Sequence, residues 1–177
     1  MLVLPGYGGS GPAHWQTLWE RAHPELHRVE ARDWDHPDRE EWVAALESAV
    51  RATGTGIVLI AHSLACLQVV HWAAEHPGSA RAIRAALLVA PPDPDQADFP
   101  EAITGFSPLP LQPLPIPALV LGSTNDPYGT PEFTAACAKA WGTRFVSVGA
   151  KGHVNAASGL GEWAEGWELL KSLEANV

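Results

Sequence analysis

Two kinds of residue are scarce in this sequence. The chain of 177 residues has only two cysteines, Cys66 and Cys137. They lie in separate predicted helices without the spacing of metal ligands, so we expect reduced thiols rather than a disulfide. Basic side chains are also few, because 11 lysines and arginines stand against 20 aspartates and glutamates and give a formal net charge of -9. That charge argues against nonspecific binding to nucleic acids and against docking on anionic membranes.

The N-terminus lacks a targeting pattern. It begins directly with residues typical of a strand, without the basic segment and the apolar segment of a signal peptide. The expected location is therefore cytoplasmic. An apolar fraction of 46% is ample for one core, and we predict a single domain over residues 1–177.

Ser63 is the most informative position. It follows an apolar run over 56–61 that is typical of a buried strand, and it precedes an apolar run over 64–70 that is typical of a helix. A serine at such a sharp turn is exposed above the sheet, and the start of the helix favours developing negative charge, so Ser63 is a candidate nucleophile. The flanking Ala61 and Ala65 replace the glycines usual in this turn. A simple helix N-cap is the alternative interpretation of this serine.

Two later strands end in residues that would complete a catalytic triad. The strand predicted over 118–122 is followed by Asp126, and the strand predicted over 144–148 is followed by His153. This chain order, with the nucleophile first and the histidine last, is that of the α/β-hydrolases. In this interpretation His153 takes the proton of Ser63, and Asp126 orients the imidazole.

A glycine-rich loop supplies a further element. The short strand predicted over 2–4 leads into the loop over 5–11, which lacks the Lys-Ser/Thr ending of a phosphate-binding P-loop. In a hydrolase, this loop and the residue after the nucleophile each supply one backbone N–H group of the oxyanion hole. We therefore assign these donors to Tyr7 and Leu64. A plain glycine turn is the alternative interpretation.

These motifs resemble those of the small serine hydrolases related to retinoblastoma-binding protein 9, in particular the bacterial branch of that family. The resemblance implies a compact α/β-hydrolase in which Ser63, Asp126 and His153 are catalytic. It also implies a six-stranded, mostly parallel sheet in the order 2-1-3-4-5-6, with helices on both faces and no large lid. The matching stretches, which span nearly the whole chain, are residues 5–9, 62–63, 122–128 and 152–153.

The remaining sequence alternates between strand and helix patterns, as in a parallel sheet covered on both faces. Helices are predicted over 15–22, 39–52 and 64–75, and further strands over 27–31 and 85–90. The exception is the proline-rich segment over 91–117, which cannot form a long helix. It lies where larger hydrolases insert a lid, so one interpretation is that it borders the acyl pocket. The alternative interpretation is a rigid connection packed over the core.

Several aromatic and histidine side chains are candidates for a substrate pocket. Trp15 follows the glycine loop, and Trp34 follows a predicted strand. Four other tryptophans lie in helical stretches and are expected to pack in the core or between helices instead: Trp42, Trp72, Trp141 and Trp167. The histidines show no metal-binding motif, so neither a metal nor another cofactor is predicted. The predicted pocket residues are His14, Trp15, Trp34, Phe99 and Phe106.

Together the motifs predict two-step acyl transfer through an acyl-enzyme on Ser63. The expected substrate is a small ester, thioester or amide, and a carboxylesterase-like activity is favoured. The expected partner is this small acyl substrate, and no particular protein partner is implied. Asp93 or Asp95 is the alternative acid. The alternative function is a protein-interaction module with a weakened triad, which the alanines beside Ser63 would favour.

Overall fold

Six parallel strands form one sheet in the computed structural model, which describes residues 1–177. The spatial order is β2-β1-β3-β4-β5-β6, and every neighbouring pair is parallel. This confirms the predicted fold class and strand order. The strands are β1 (Leu2–Leu4), β2 (His27–Arg28), β3 (Ile57–His62), β4 (Ile83–Val89), β5 (Ala118–Gly122) and β6 (Arg144–Ser147).

The two central strands, β3 and β4, are the longest. All six residues of β3 are buried, and β4 is buried except at Arg84, because helices cover both faces of the central strands. The edge strand β2 has only two residues. The sequence predicted this strand as far as residue 31, so its extent was wrong. Beyond Arg28 only the amide of Val29 still bonds to the sheet, at the carbonyl of Val3.

Five α-helices cover the two faces. Helices α2, α3 and α4 contribute to a core cluster of 28 buried residues on one face, and α1 and α5 contribute to a cluster of 17 on the other. None of the helices has both the length and the hydropathy needed to cross a membrane. The helices are α1 (Trp15–Ala22), α2 (Arg39–Thr53), α3 (Leu64–Glu75), α4 (Pro131–Ala140) and α5 (Ala164–Ala175).

The proline-rich segment is anchored to the core at several points. Phe106 and Ile116 are buried in the larger cluster, and Thr104 exchanges backbone hydrogen bonds with Pro37 and Arg39. No helix or strand longer than a single bridge forms between β4 and β5. The segment is therefore a fixed connection along much of its length, and part of it also lines the cavity described below.

Candidate active site

Ser63 lies in a strained turn between β3 and α3. Its backbone angles are φ 56° and ψ −128°, and a positive φ is unfavourable for a residue with a side chain. The turn is held by a hydrogen bond from the Ser63 amide to the carbonyl of Val89, at 2.8 Å. The serine side chain makes no capping bond to α3. The N-cap interpretation of this side chain is therefore wrong, and the hydroxyl is available for another partner.

The turn tolerates alanine on both sides of the serine. Ala61 and Ala65 are fully buried, and neither prevents Ser63 from adopting the strained conformation. The glycine loop lies directly against this turn. A Cβ atom on Gly6 would lie 2.8 Å from the Cβ of Ser63 and 2.9 Å from the carbonyl oxygen of His62. Glycine is therefore needed at position 6 for the loop to approach Ser63 this closely.

The two predicted oxyanion donors belong to the residues that follow this contact in the chain, because Tyr7 follows Gly6 and Leu64 follows Ser63. A Cβ atom on Gly6 would also lie 3.3 Å from the amide nitrogen of Leu64. The Leu64 N–H is the first of α3 and so has no acceptor within the helix. The Tyr7 N–H makes no hydrogen bond to the protein, whereas the next two amides of the loop, those of Gly8 and Gly9, do. Both predicted donors thus lie beside Ser63.

The structure brings Ser63, His153 and Asp126 together in one hydrogen-bonded series. His153 Nε2 lies 2.7 Å from Ser63 Oγ, and His153 Nδ1 lies 2.9 Å from each carboxylate oxygen of Asp126. Because a carboxylate only accepts hydrogen bonds, the imidazole carries its proton on Nδ1, and Nε2 accepts from the serine hydroxyl. Asp126 and His153 are both buried, whereas Ser63 is partly exposed to the cavity.

The alternative acid makes no such contact. The side chain of Asp93 instead accepts the amide of Asp95 in its own turn, and its amide donates to the carbonyl of Tyr128. The side chain of Asp95 accepts from Ser107. The imidazole of His153 therefore pairs with the acid that the sequence pattern favoured.

Two polar side chains join the acid loop, which follows β5 and carries Asp126, to the histidine loop, which follows β6 and carries His153. Asn125 Oδ1 accepts the hydroxyl of Ser123 at 2.9 Å and the amide of Gly152 at 2.7 Å. Ser123 Oγ accepts the amide of Lys151 at 2.9 Å. These bonds fix the loop after β6 to the loop after β5. Both side chains lie in one of the stretches that match the family, but the sequence pattern predicted no role for them.

Two further histidines are buried near His153: the ring centroid of His62 lies 5.1 Å from that of His153, and that of His14 lies 4.7 Å from that of His62. His62 Nε2 lies 2.9 Å from the carbonyl oxygen of His153 and therefore donates to it. Burial lowers the pKa of His62 well below its usual value. Burial, followed by the nearby Arg28, lowers the pKa of His14 from 6.5 to about 4. His14 Nδ1 accepts the Gln16 amide and caps α1, and its Nε2 has no hydrogen-bond partner. Both side chains are therefore neutral at pH 7.

A cavity of about 440 Å³ opens beside Ser63. Of the predicted pocket residues, His14 and Phe99 line it. Tyr128, which follows the acid in the same loop, also lines it and was not predicted. The other lining residues come from the glycine loop, the nucleophile turn, the proline-rich segment and the histidine loop. They include Tyr7, Gly9, His62, Leu64, Gln96, Asp98, Pro100, Ile103, Asn155 and Ala156.

Three predicted pocket residues lie elsewhere, so those predictions were wrong. Trp15 is buried on the α1 face, where its indole N–H donates to the carbonyl of Val154 at 2.8 Å. Trp34 packs against Trp42, with ring centroids 5.6 Å apart, on the core side of the glycine loop. Phe106 is buried in the core. Nearness in sequence to a functional loop did not fix the direction in which these aromatic rings point.

A family model described as "Serine hydrolase" matches residues 1–172. The chain belongs to the serine hydrolase family. This confirms the predicted membership of a small serine hydrolase family and establishes the protein as a hydrolase.

Solved structures share this fold. A YdeN-like hydrolase from Pectobacterium atrosepticum is 31% identical to this serine hydrolase, with a TM-score of 0.86 over 99% of this chain and 90% of that chain. The YdeN protein of B. subtilis is 20% identical, with a TM-score of 0.75 over 98% and 97% of the two chains. The type II thioesterase BorB, from the borrelidin biosynthetic cluster, is 18% identical, with a TM-score of 0.65 over 97% and 91%. No curated protein matches the sequence.

Proposed function

We propose that this hydrolase cleaves small carboxylic esters, thioesters or amides through an acyl-enzyme on Ser63. The observation that carries the proposal is the hydrogen-bonded series from Ser63 Oγ through the His153 imidazole to Asp126, with contacts of 2.7 and 2.9 Å. A weakened triad in a protein-interaction module would not need this alignment. We favour esters and thioesters because their leaving groups depart more readily than amines.

In the first step, His153 Nε2 accepts the Ser63 proton as Oγ attacks the substrate carbonyl carbon. The carboxylate of Asp126 stabilises the resulting imidazolium and keeps its Nδ1 proton in place. His153 then gives its proton to the leaving oxygen, sulfur or nitrogen as the bond to the carbonyl carbon breaks. A water molecule then attacks the acyl-enzyme, with His153 taking its proton and returning it to Ser63 Oγ, and the carboxylic acid product is released.

The amides of Tyr7 and Leu64 are proposed to bind the negative oxygen of the tetrahedral intermediate. Both lie beside Ser63 and neither is used by a helix or loop hydrogen bond described above. Such donors stabilise charge that develops only in the transition state, and the loss of one costs on the order of 3 kcal/mol in the barrier. The cavity of about 440 Å³ is at the small end of the range for ligand sites. A short acyl group suits that volume.

A fluorophosphonate probe tests the proposal, with covalent labelling read by intact mass. We expect one label per wild-type chain and none on the Ser63→Ala or His153→Ala variants, because the first lacks the nucleophile and the second lacks its base. Circular dichroism of each variant checks that the fold is retained. A well-folded wild-type protein that is neither labelled nor active on phenyl acetate would contradict the proposal and favour the protein-interaction module.

A further inference from the structure

Both tyrosines of the chain line the cavity beside Ser63. Tyr7 is 44% exposed and Tyr128 is 47% exposed. Only two other large hydrophobic side chains are exposed in this protein, Leu111 and Val177, and neither lines the cavity. When an apolar ligand covers an aromatic side chain that is otherwise exposed to water beside a cavity, the burial of apolar surface favours binding. The two tyrosines therefore indicate an apolar ligand group near the cavity opening.

Tyr128 is held next to the proposed base. Its ring centroid lies 4.7 Å from that of His153, with the rings nearly perpendicular at 79°. The backbone fixes this position, because the Tyr128 amide donates to Asp126 Oδ1 at 2.9 Å and its carbonyl accepts from the amide of Asp93. The phenol group itself makes no hydrogen bond to the protein. Replacing the side chain thus leaves the bonds of the acid loop in place.

The proposed chemistry assigns this side of the cavity to the leaving group. The leaving atom must lie within hydrogen-bond distance of His153 Nε2, because that nitrogen gives it the proton taken from Ser63. The carbonyl oxygen faces the amides of Tyr7 and Leu64 instead. A group attached to the leaving atom therefore extends on the imidazole side, where the ring of Tyr128 lies.

With the leaving group on the imidazole side, the remaining apolar lining of the cavity is assigned to the acyl chain. Phe99 and Ile103 line the same cavity and belong to the proline-rich segment. Both are partly buried against the core on their other side, so they form a fixed apolar surface. The two halves of a substrate thus meet side chains from separate parts of the chain.

We propose that Tyr128 forms a leaving-group subsite that favours a planar, apolar alcohol or thiol, such as an aryl group. The inference rests on the proposed function. Ser63 Oγ first adds to the carbonyl carbon to give the tetrahedral intermediate, and collapse of this intermediate then breaks the bond from that carbon to the aryl oxygen or sulfur. The released aryl alcohol or thiol leaves with the serine proton, and water then hydrolyses the acyl-enzyme.

The test compares kcat/KM for phenyl acetate and cyclohexyl acetate, which share an acyl group and differ in the planarity of a leaving group of similar size. Tyr128→Ala is expected to lower the phenyl-to-cyclohexyl ratio about tenfold, whereas Tyr128→Phe keeps it. The two esters differ in intrinsic reactivity, but this difference cancels when the ratio for each variant is divided by the wild-type ratio. Leu111→Ala, on the exposed surface away from the cavity, serves as the matched control and should leave the ratio unchanged.

A second comparison tests the acyl side. Phe99→Ala is expected to change the ratio for phenyl hexanoate over phenyl acetate and to keep the phenyl-to-cyclohexyl ratio. Phenol binding, followed by NMR on Ser63→Ala protein, adds a measurement that needs no turnover. We expect Tyr128→Ala in that background to weaken phenol binding about tenfold and Tyr128→Phe to retain it.

An unchanged phenyl-to-cyclohexyl ratio in Tyr128→Ala would overturn the subsite. If that unchanged ratio comes with an equal loss for both esters, Tyr128 only packs against His153. Equal phenol affinity with and without the Tyr128 ring would also overturn the subsite. The proposed function is tested separately, since labelling of Ser63 does not depend on the leaving-group preference.

Discussion

Acidification should destabilise this protein well above the pH at which carboxylates become protonated. His14 is only 4% exposed, and its pKa is lowered to about 4 from the value of 6.5 expected in the unfolded chain. Between these values the unfolded state binds a proton that the folded state does not, so stability is full above pH 6.5 and falls as the pH decreases towards 4. At pH 5.5 the loss from His14 alone is about 1.4 kcal/mol. The lowered pKa of His62 adds a loss of the same sign.

The measurement is urea unfolding at pH 7.5, 6.5 and 5.5. His14→Asn removes the titrating ring while Asn, a favourable N-cap, can still accept the amide of Gln16. This variant should lack the contribution of His14, which lowers the free energy of unfolding of the wild type by about 1 kcal/mol between pH 6.5 and 5.5. His27→Asn replaces an exposed histidine and serves as the control. Equal stability of the wild type at pH 7.5 and 5.5, or an unchanged slope in His14→Asn, would refute the reasoning.

Three further predictions concern the site. Asp126→Asn should lower kcat about 10⁴-fold because the imidazole loses its correct tautomer, while Asp93→Asn keeps wild-type kcat in the same ester assay. Gly6→Ala should lower kcat at least 10²-fold by moving the loop away from the nucleophile; Gly78→Ala, where an added Cβ meets no atom within 4 Å, should not. Asn125→Ala removes two hydrogen bonds and should cost about 2 kcal/mol in urea unfolding; an unchanged midpoint would contradict that role.

The meeting of Ser63, Asp126 and His153 was predictable because it depends on topology. Each follows a parallel strand, and the carboxyl ends of parallel strands lie at one edge of a sheet. The strand order itself follows from short, right-handed crossovers. Extended apolar runs such as those of β3 and β4 mark these strands without reference to side-chain packing.

The aromatic surroundings of the site were less predictable because they depend on packing in three dimensions. Trp15 follows the glycine loop in sequence, yet the rotation of α1 directs its indole into the core. Tyr128 lies in a short turn whose course is set by its bonds to Asp126 and Asp93, and no periodic pattern marks its direction. The joining role of Ser123 and Asn125 likewise arises only once two distant loops are adjacent.

The connection between β4 and β5 supplies part of the cavity lining without belonging to the sheet. The lining of the cavity and the alignment of Ser63, Asp126 and His153 can therefore change independently. Phe99 and Ile103 border the cavity, yet they belong to no strand and make no hydrogen bond with the side chains of Ser63, Asp126 or His153. Residues over 96–103 can therefore vary without changing strand register or triad alignment. Divergence within this one stretch would change the cavity lining of related chains while Ser63, Asp126 and His153 kept their alignment.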